Sequence, residues 1–466
     1  MTEQQANNLL DPNLHRDSCG FGLIANLDDL PSHGVVATAI EALARLTHRG
    51  AVAADGKTGD GCGLLIKFPE TFLRAVGKDL GFTLAKRFAA GTVFLSRDQA
   101  RGDAGRAMIT QAIGELGLEV AGWREVPVDA SACGEQALAT LPKIEQVFVN
   151  SPDYMPRGSF NRKLFLARRR AEKRISDDET YVASLSSGTI SYKGMIMPTA
   201  LPVFYPDLRD PRMESSVCVF HQRFSTNTLP QWKLAQPFRF LAHNGEINTV
   251  QGNRNWAVAR SKNFVSEKLD DISDLDPIVS MSGSDSSSLD NMLEVLRAGG
   301  MDVLQAMRIL IPPAWQPVGD IDPDVRAFYE FWDGQQEPWD GPAGIVLTDG
   351  HYAACCLDRN GLRPARYVIT KDRHITIASE VGVYDYDEHD VVEKGRLGPG
   401  EMLAVDLVNG VVLDTDDIHD VLKSRAPYKK WLKRGVRYLD SLLIDSRMAA
   451  EPFDAETLET YQKMFN

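Results

Sequence analysis

The sequence predicts an α+β protein in which antiparallel sheets are sandwiched by helices. Three observations carry this expectation. From residue 342 on, short apolar runs of strand length recur (GIVLTDG, YAACCLD, ARYVIT, HITIAS, EMLAVD), separated by turn signals such as Asp349-Gly350 and Asn360-Gly361. Elsewhere, long segments repeat apolar residues at helical spacing. The two kinds of segment are interspersed, with no internal repeat and no low-complexity tract, as expected when helices cover mostly antiparallel sheets.

Taken in order, CGFGLIANL at residues 19–27 is a strand, and its Gly20 and Gly22 leave room for close backbone approach. Val35 to Leu46 is an amphipathic helix, with Gly50 placed to act as its C-cap. Residues 51–63 form a glycine-rich loop, and Leu64 to Phe68 a second strand. The stretch 69–140 reads as helix, strand (Thr92 to Leu95), helix and strand (Leu118 to Val128). Val147 to Val149 is a short strand, and Asn161 to Arg174 a basic amphipathic helix whose run ARRRAEKR is expected to be a solvated face or a contact to other domains. Thr180 to Leu185 and Thr189 to Tyr192 look like a strand pair. Ser216 to His221 and Phe238 to Ala242 are strands around a polar loop. Helices follow at Thr249 to Ser261, at Leu289 to Arg297, and from Asp322-Pro323, an acceptor cap with proline at the first helical position. Residues 428–466 turn helical again.

A chain of 466 residues with 43% hydrophobic residues is long enough for a large core. A net charge of −13 argues against a nucleic-acid surface, which needs clustered cations. No apolar run approaches the length of a membrane span. Six cysteines, at 19, 62, 133, 218, 355 and 356, include no CxxC pair and are too sparse for a disulfide scaffold. A reducing, cytoplasmic compartment and no metal site are expected. Residues 1–18 are polar and lack the apolar core of a secretory signal. Their acidic side chains argue against a transit peptide, which leaves a propeptide or a flexible arm.

The chemistry starts at Cys19. If the leader is cut off, Cys19 carries both a thiol, with a pKa of about 8.5, and a free α-amine, with a pKa of about 7.7–8.0. Nucleophile and base then share one residue. Taken alone, a cysteine at the head of a strand is more often a buried structural thiol. Arg223, after a strand, has the planar guanidinium that grips a carboxylate, or forms a surface ion pair. Asn244-Gly245 offers a side-chain amide and a backbone N–H as an oxyanion hole, or is a simple turn. Asp285 offers an anion for an α-ammonium, or is part of a helix cap. Together they provide a thiol, an oxyanion hole, a cation for a carboxylate and an anion for an ammonium. That set fits an α-amino acid with a side-chain amide, glutamine or asparagine.

CGFGLIA behind a short leader, LTHRGAVAADGKTGDGCG, HQRFSTNT, HNGEIN, GSDSSSLDN and LDRNGLRPAR, in this order, resemble the N-terminal glutaminase domain of the glutamate synthase large (α) subunit. That domain is a type II (Ntn) glutamine amidotransferase. The wider type II family shares the shorter elements, whereas the leader, the TGDGCG loop and HQRFSTNT narrow the match. The resemblance implies a four-layer αββα Ntn-hydrolase sandwich with a helical C-terminal extension. It implies a propeptide at 1–18, a glutaminase domain at 19–425 and a helical linker at 426–466. It implies that Cys19 attacks the glutamine amide, that Asn244 and Gly245 stabilise the oxyanion, that Arg223 with Thr226 binds the α-carboxylate and Asp285 the α-ammonium, and that Arg49 has a positioning role. Beyond residue 466 it implies synthase domains with FMN and an iron–sulfur cluster, and an electron-donating small subunit or ferredoxin as partner. This chain itself would hold no cofactor and would perform only the glutaminase half-reaction. Another Ntn amidohydrolase or amidotransferase, or an unprocessed glutamine-binding module, are the competing readings.

Overall fold

Side chains of the first strand alternate between two buried environments, and that alternation explains the layering. The computed structural model describes residues 19–223, 229–269, 275–436 and 454–465. In chain order, β1 (Gly20–Asn26) leads to α1 (His33–Arg45), β2 (Cys62–Lys67), α2 (Glu70–Asp79), β3 (Phe88–Leu95), α3 (Gln99–Glu115), β4 (Glu119–Glu125), α4 (Glu135–Ala139), β5 (Lys143–Asn150) and α5 (Arg157–Arg174). Next come β6 (Tyr181–Val182), β7 (Thr189–Gly194), α6 (Leu201–Phe204), β8 (Val217–Gln222), β9 (Leu241–Gly245), α7 (Val250–Ser261), α8 (Asp285–Gly299), α9 (Val303–Leu310) and α10 (Pro323–Asp333). Strands β10 (Ala343–Thr348), β11 (Tyr352–Leu357), β12 (Arg366–Thr370), β13 (His374–Ala378), β14 (Val391–Arg396), β15 (Met402–Asp406) and β16 (Val411–Leu413) precede α11 (Thr415–Lys423), α12 (Tyr428–Gly435) and α13 (Ala455–Phe465).

Seven strands form one antiparallel sheet in the order β14-β12-β13-β1-β8-β2-β7, and five form a second, β16-β15-β11-β10-β9. The period-2 alternation of a strand divides each into two faces. Phe21, Leu23 and Ala25 of β1 pack with Val346, Cys355 and Val405 between the two sheets. Ile24 points the other way, into a core with Val36 and Leu43 of α1. On the second sheet, Ile345, Ala354 and Cys356 face α8 and α9 through Leu289 and Met307. The result is helix, sheet, sheet, helix, the four layers expected. Adjacent Cys355 and Cys356 fall on opposite faces. Gly22 is required at its place, because a Cβ there would meet the Phe220 ring at 2.4 Å and the Ile377 carbonyl at 2.7 Å.

Local expectations are corrected in three places. Thr180 to Leu185 and Thr189 to Tyr192 do not pair with each other. β6 pairs with β3 in a third, four-stranded sheet (β4-β5-β3-β6), whereas β7 pairs with β2. That sheet covers the α1-side core with Ala90 and Phe94 and receives α3 and α5 on its other face through Val93, Ile109 and Leu164. Gly50 does not cap α1. The helix closes at Leu46, and Gly50 ends a 3-10 turn at Thr47–Arg49 with an ordinary extended φ of −97°. The basic run on α5 is not a solvated face throughout, since Arg168 is buried between Glu172 at 2.7 Å and Glu294 of α8 at 2.8 Å.

At the C-terminal side, α11 and α12 join the same core through Ile418, Leu422 and Tyr428, whose ring meets Phe328 edge-to-face at 5.4 Å. Among the described residues no helix is long and apolar enough to cross a membrane. Because Leu23 is fully buried between the sheets, Leu23→Ala should lower the unfolding free energy by about 2–5 kcal/mol. Urea denaturation of the two chains measures this, and a loss below about 1 kcal/mol would contradict the inter-sheet packing.

Candidate functional site

Cys19 stands at the head of β1, and β9 ends in the facing sheet with Asn244 and Gly245. The two ends meet. The Asn244 side-chain amide donates to the Cys19 carbonyl oxygen at 2.7 Å. Gly245 has φ +148°, and a Cβ there would lie 1.8 Å from the Pro342 carbonyl oxygen, so only glycine fits. The sequence thus sets the Asn244 side-chain amide against the Cys19 backbone, with Gly245 next to it as the last residue of β9.

Arg223 immediately follows β8 and is 8% exposed. It adopts φ +86°, a left-handed conformation that costs a non-glycine residue about 1–3 kcal/mol and recurs at functional sites. The TGDGCG loop holds it there. The Arg223 N–H donates to the Gly61 carbonyl at 2.8 Å, and Asp60 lies 3.5 Å from the Arg223 Nε. Gly50 contributes space, since a Cβ at that position would overlap the Gln222 side-chain amide.

Asp285 is the first residue of α8 but does not cap it. Ser284 does, accepting from the Ser287 N–H at 3.1 Å. The Asp285 carboxylate instead accepts from the Ile247 N–H at 2.8 Å and lies 3.7 Å from His243 Nδ1. His243 is fully buried, which pushes its pKa down, so it stays neutral despite Asp285. His221, buried beside it, is pushed down to about 3 by loss of water and by the neighbouring His243.

The Cys19 thiol is pushed up to about 11, first by burial. Arg223 and Arg363 oppose that rise by favouring the thiolate, whereas Asp60 and Asp285 reinforce it. Cys19, Arg223, Asp285, Asn244 and Gly245 therefore gather at one place. Arg49 stands to one side, with its Nε donating to Glu380 at 2.9 Å. Glu380 follows Ser379, which hydrogen-bonds Phe21 of β1. Thr226 lies outside the described residues. Asp60 and Arg363 were not singled out from the sequence, although both sit in motifs that were, TGDGCG and LDRNGLRPAR. Among the described residues no group of three or more His, Cys, Asp or Glu could hold a metal ion, and the other five cysteines are buried, the adjacent Cys355 and Cys356 on opposite faces of β11. They do not fit an iron–sulfur cluster.

The sequence profile of the family described as "Glutamine amidotransferases class-II" matches residues 19–431, beginning at Cys19. The chain is 41% identical over 457 residues to "Ferredoxin-dependent glutamate synthase 1, chloroplastic/mitochondrial" of Arabidopsis thaliana, covering 96% of this chain and 28% of that protein. It is 41% identical over 458 residues to the "Glutamate synthase (NADPH) large chain" of Azospirillum brasilense, covering 97% and 30%. The large chain of that name from Bacillus subtilis (strain 168) is also 41% identical, over 433 residues, covering 92% and 28%. The chain thus spans less than a third of the length of these curated relatives.

The partial desolvation of Cys19 has a measurable consequence in the chain that carries residue 18. Because the thiolate is the reactive form, alkylation by iodoacetamide should climb about tenfold per pH unit from pH 8 to pH 10, as expected for a thiol near 11. Arg223→Ala, which removes a favourable cation, should move the climb to higher pH. A plateau by about pH 8.5, the ordinary thiol value, would contradict the described environment.

Proposed function

Because the chain belongs to the class-II glutamine amidotransferases, we propose that it hydrolyses L-glutamine to L-glutamate and ammonia through a γ-glutamyl thioester on Cys19, once the Ser18–Cys19 bond has been broken. The observation that carries this reading is the Asn244 amide 2.7 Å from the Cys19 carbonyl oxygen, with Gly245 following it. A half-buried thiol near 11 is a poor nucleophile by itself. Freed of residues 1–18, the Cys19 α-amine, with a pKa of about 7.7–8.0, becomes the base that the thiol lacks. The start of the family match at Cys19 supports this maturation.

The chemistry then runs in balanced steps. The α-amine takes the thiol proton as sulfur attacks the side-chain amide carbon of glutamine. The oxyanion that forms accepts hydrogen bonds from the Asn244 amide and the Gly245 N–H, donors fixed before the charge develops. Collapse breaks the C–N bond, the α-ammonium returns its proton to the leaving nitrogen, and ammonia departs. Water, deprotonated by the same amine, attacks the thioester, and glutamate leaves with the thiol restored. Arg223, with Thr226, holds the substrate α-carboxylate, and Asp285 holds the α-ammonium. Arg49 acts at a distance by fixing Glu380 beside the start of β1.

The likeness to glutamate synthases supports a wider proposal. Ammonia released here would pass to synthase domains of a longer chain and be combined with 2-oxoglutarate to make glutamate. FMN and an iron–sulfur cluster in those domains would supply the reducing chemistry, fed by an electron-donating small subunit or ferredoxin. On this proposal the enzyme acts in a reducing compartment such as the cytoplasm.

Two measurements test the glutaminase reading. Intact mass of active protein should show a chain beginning at Cys19, and Cys19→Ala should keep residues 1–18 and release no ammonia. Turnover by chains that all begin at Met1 or Thr2 would contradict the amine-base mechanism. Arg223→Ala should raise KM for glutamine about ten- to a hundredfold, the worth of a charged hydrogen-bond pair. An unchanged KM would remove Arg223 from the carboxylate site.

A further inference from the structure

Helix α8 does more than present Asp285. Five residues further along it, Asp290 is fully buried, and its carboxylate accepts three backbone hydrogen bonds. The N–H groups of Arg239, Phe240 and Leu241 donate to it at 3.2, 2.9 and 3.2 Å. These residues lead directly into β9, whose last two residues are Asn244 and Gly245. On the far side of that pair, the Ile247 N–H donates to Asp285 of the same helix at 2.8 Å. Between the two grips, His243 Nδ1 lies 2.9 Å from Ser286 Oγ, also on α8. The first two turns of α8 therefore hold β9 before, within and after the segment that bears the oxyanion donors.

We propose that Asp290 is a positioning residue for Asn244 and Gly245, fixing the oxyanion hole through the backbone of residues 239–241. The proposal rests on the glutaminase reading of the site. A buried carboxylate is costly unless hydrogen-bonded and paired. Here three N–H donors and the nearby Arg239 offset that cost, although burial and Glu294 still push its pKa up to about 6. Two carboxylate oxygens suit the task, because one serves Phe240 and Leu241 while the other serves Arg239. An amide at this position keeps one acceptor and turns an N–H donor toward the Arg239 N–H, pushing the lead-in of β9 away from the helix.

The test compares Asp290→Asn with wild type, each expressed as the whole chain and matured to Cys19. A misplaced oxyanion hole should lower kcat for glutamine about ten- to a hundredfold and leave KM within about threefold, since the substrate's carboxylate and ammonium partners are kept. Alkylation of Cys19 by iodoacetamide forms no oxyanion, so its rate should stay within about twofold of wild type. A general loosening of the fold would change alkylation and turnover together and would overturn the proposal, as would wild-type kcat in the variant. Should Asp290→Asn not fold, Asp290→Glu keeps both oxygens but displaces them by a methylene, and the same split in kcat, KM and alkylation is expected of it. Wild-type kcat in that variant also overturns the proposal. Absence of turnover in matured wild type would overturn the glutaminase reading itself, and this proposal with it.

Discussion

The hydrogen bond from the Asn244 side chain to the Cys19 carbonyl ties together two residues 225 positions apart. It exists only because two sheets stack face to face with β1 and β9 ending at one place. That stacking depends in turn on a buried apolar inter-sheet core of Phe21, Leu23, Val346 and their neighbours. Each large side chain there contributes about 1.5–3 kcal/mol on leaving water. The core supplies rigidity, and the strand ends carry Cys19, Asn244 and Gly245. Residues at a strand end inherit the precision of the sheet while their polar groups remain free of the ladder.

Burial shapes the site in a second way. It raises the Cys19 thiol and keeps His243 and His221 neutral. Neither histidine is thus available as a cationic partner, and the raised thiol is mostly protonated near neutral pH. On the proposed maturation, a free α-amine on Cys19 would supply a base without any other side chain entering the site. The surrounding charges alternate in sign, with Arg223 and Arg363 against Asp60 and Asp285. An α-amino acid, carrying one charge of each sign, is the natural complement of such a set.

Much of this was legible locally. Cys19 before an apolar run, Asn244-Gly245 at a strand end and Arg223 after a strand each announced a position by type and context. Asp285 was ambiguous between cap and ligand, and only the structure shows that Ser284 is the cap. What stayed hidden was set by long-range pairing. Asp60 acquires meaning from the register that lays β2 beside β8 and so brings TGDGCG to Arg223. Arg49 meets Glu380 across 331 residues. The third sheet was missed because β6 is two residues long and is defined by its partner β3, not by its own pattern. Asp290 reads in the sequence as an ordinary polar residue of an amphipathic helix, and nothing local says that its carboxylate faces three backbone amides.

The central claim is that Cys19, as an N-terminal residue, is the nucleophile. Acid quenching of the matured chain during glutamine turnover, followed by peptide mapping by mass spectrometry, tests it most directly. The account predicts a γ-glutamyl group on the sulfur of Cys19 in a peptide that begins at Cys19. Steady turnover with no acyl group on Cys19, or with the acyl group on a peptide still joined to Ser18, would contradict it.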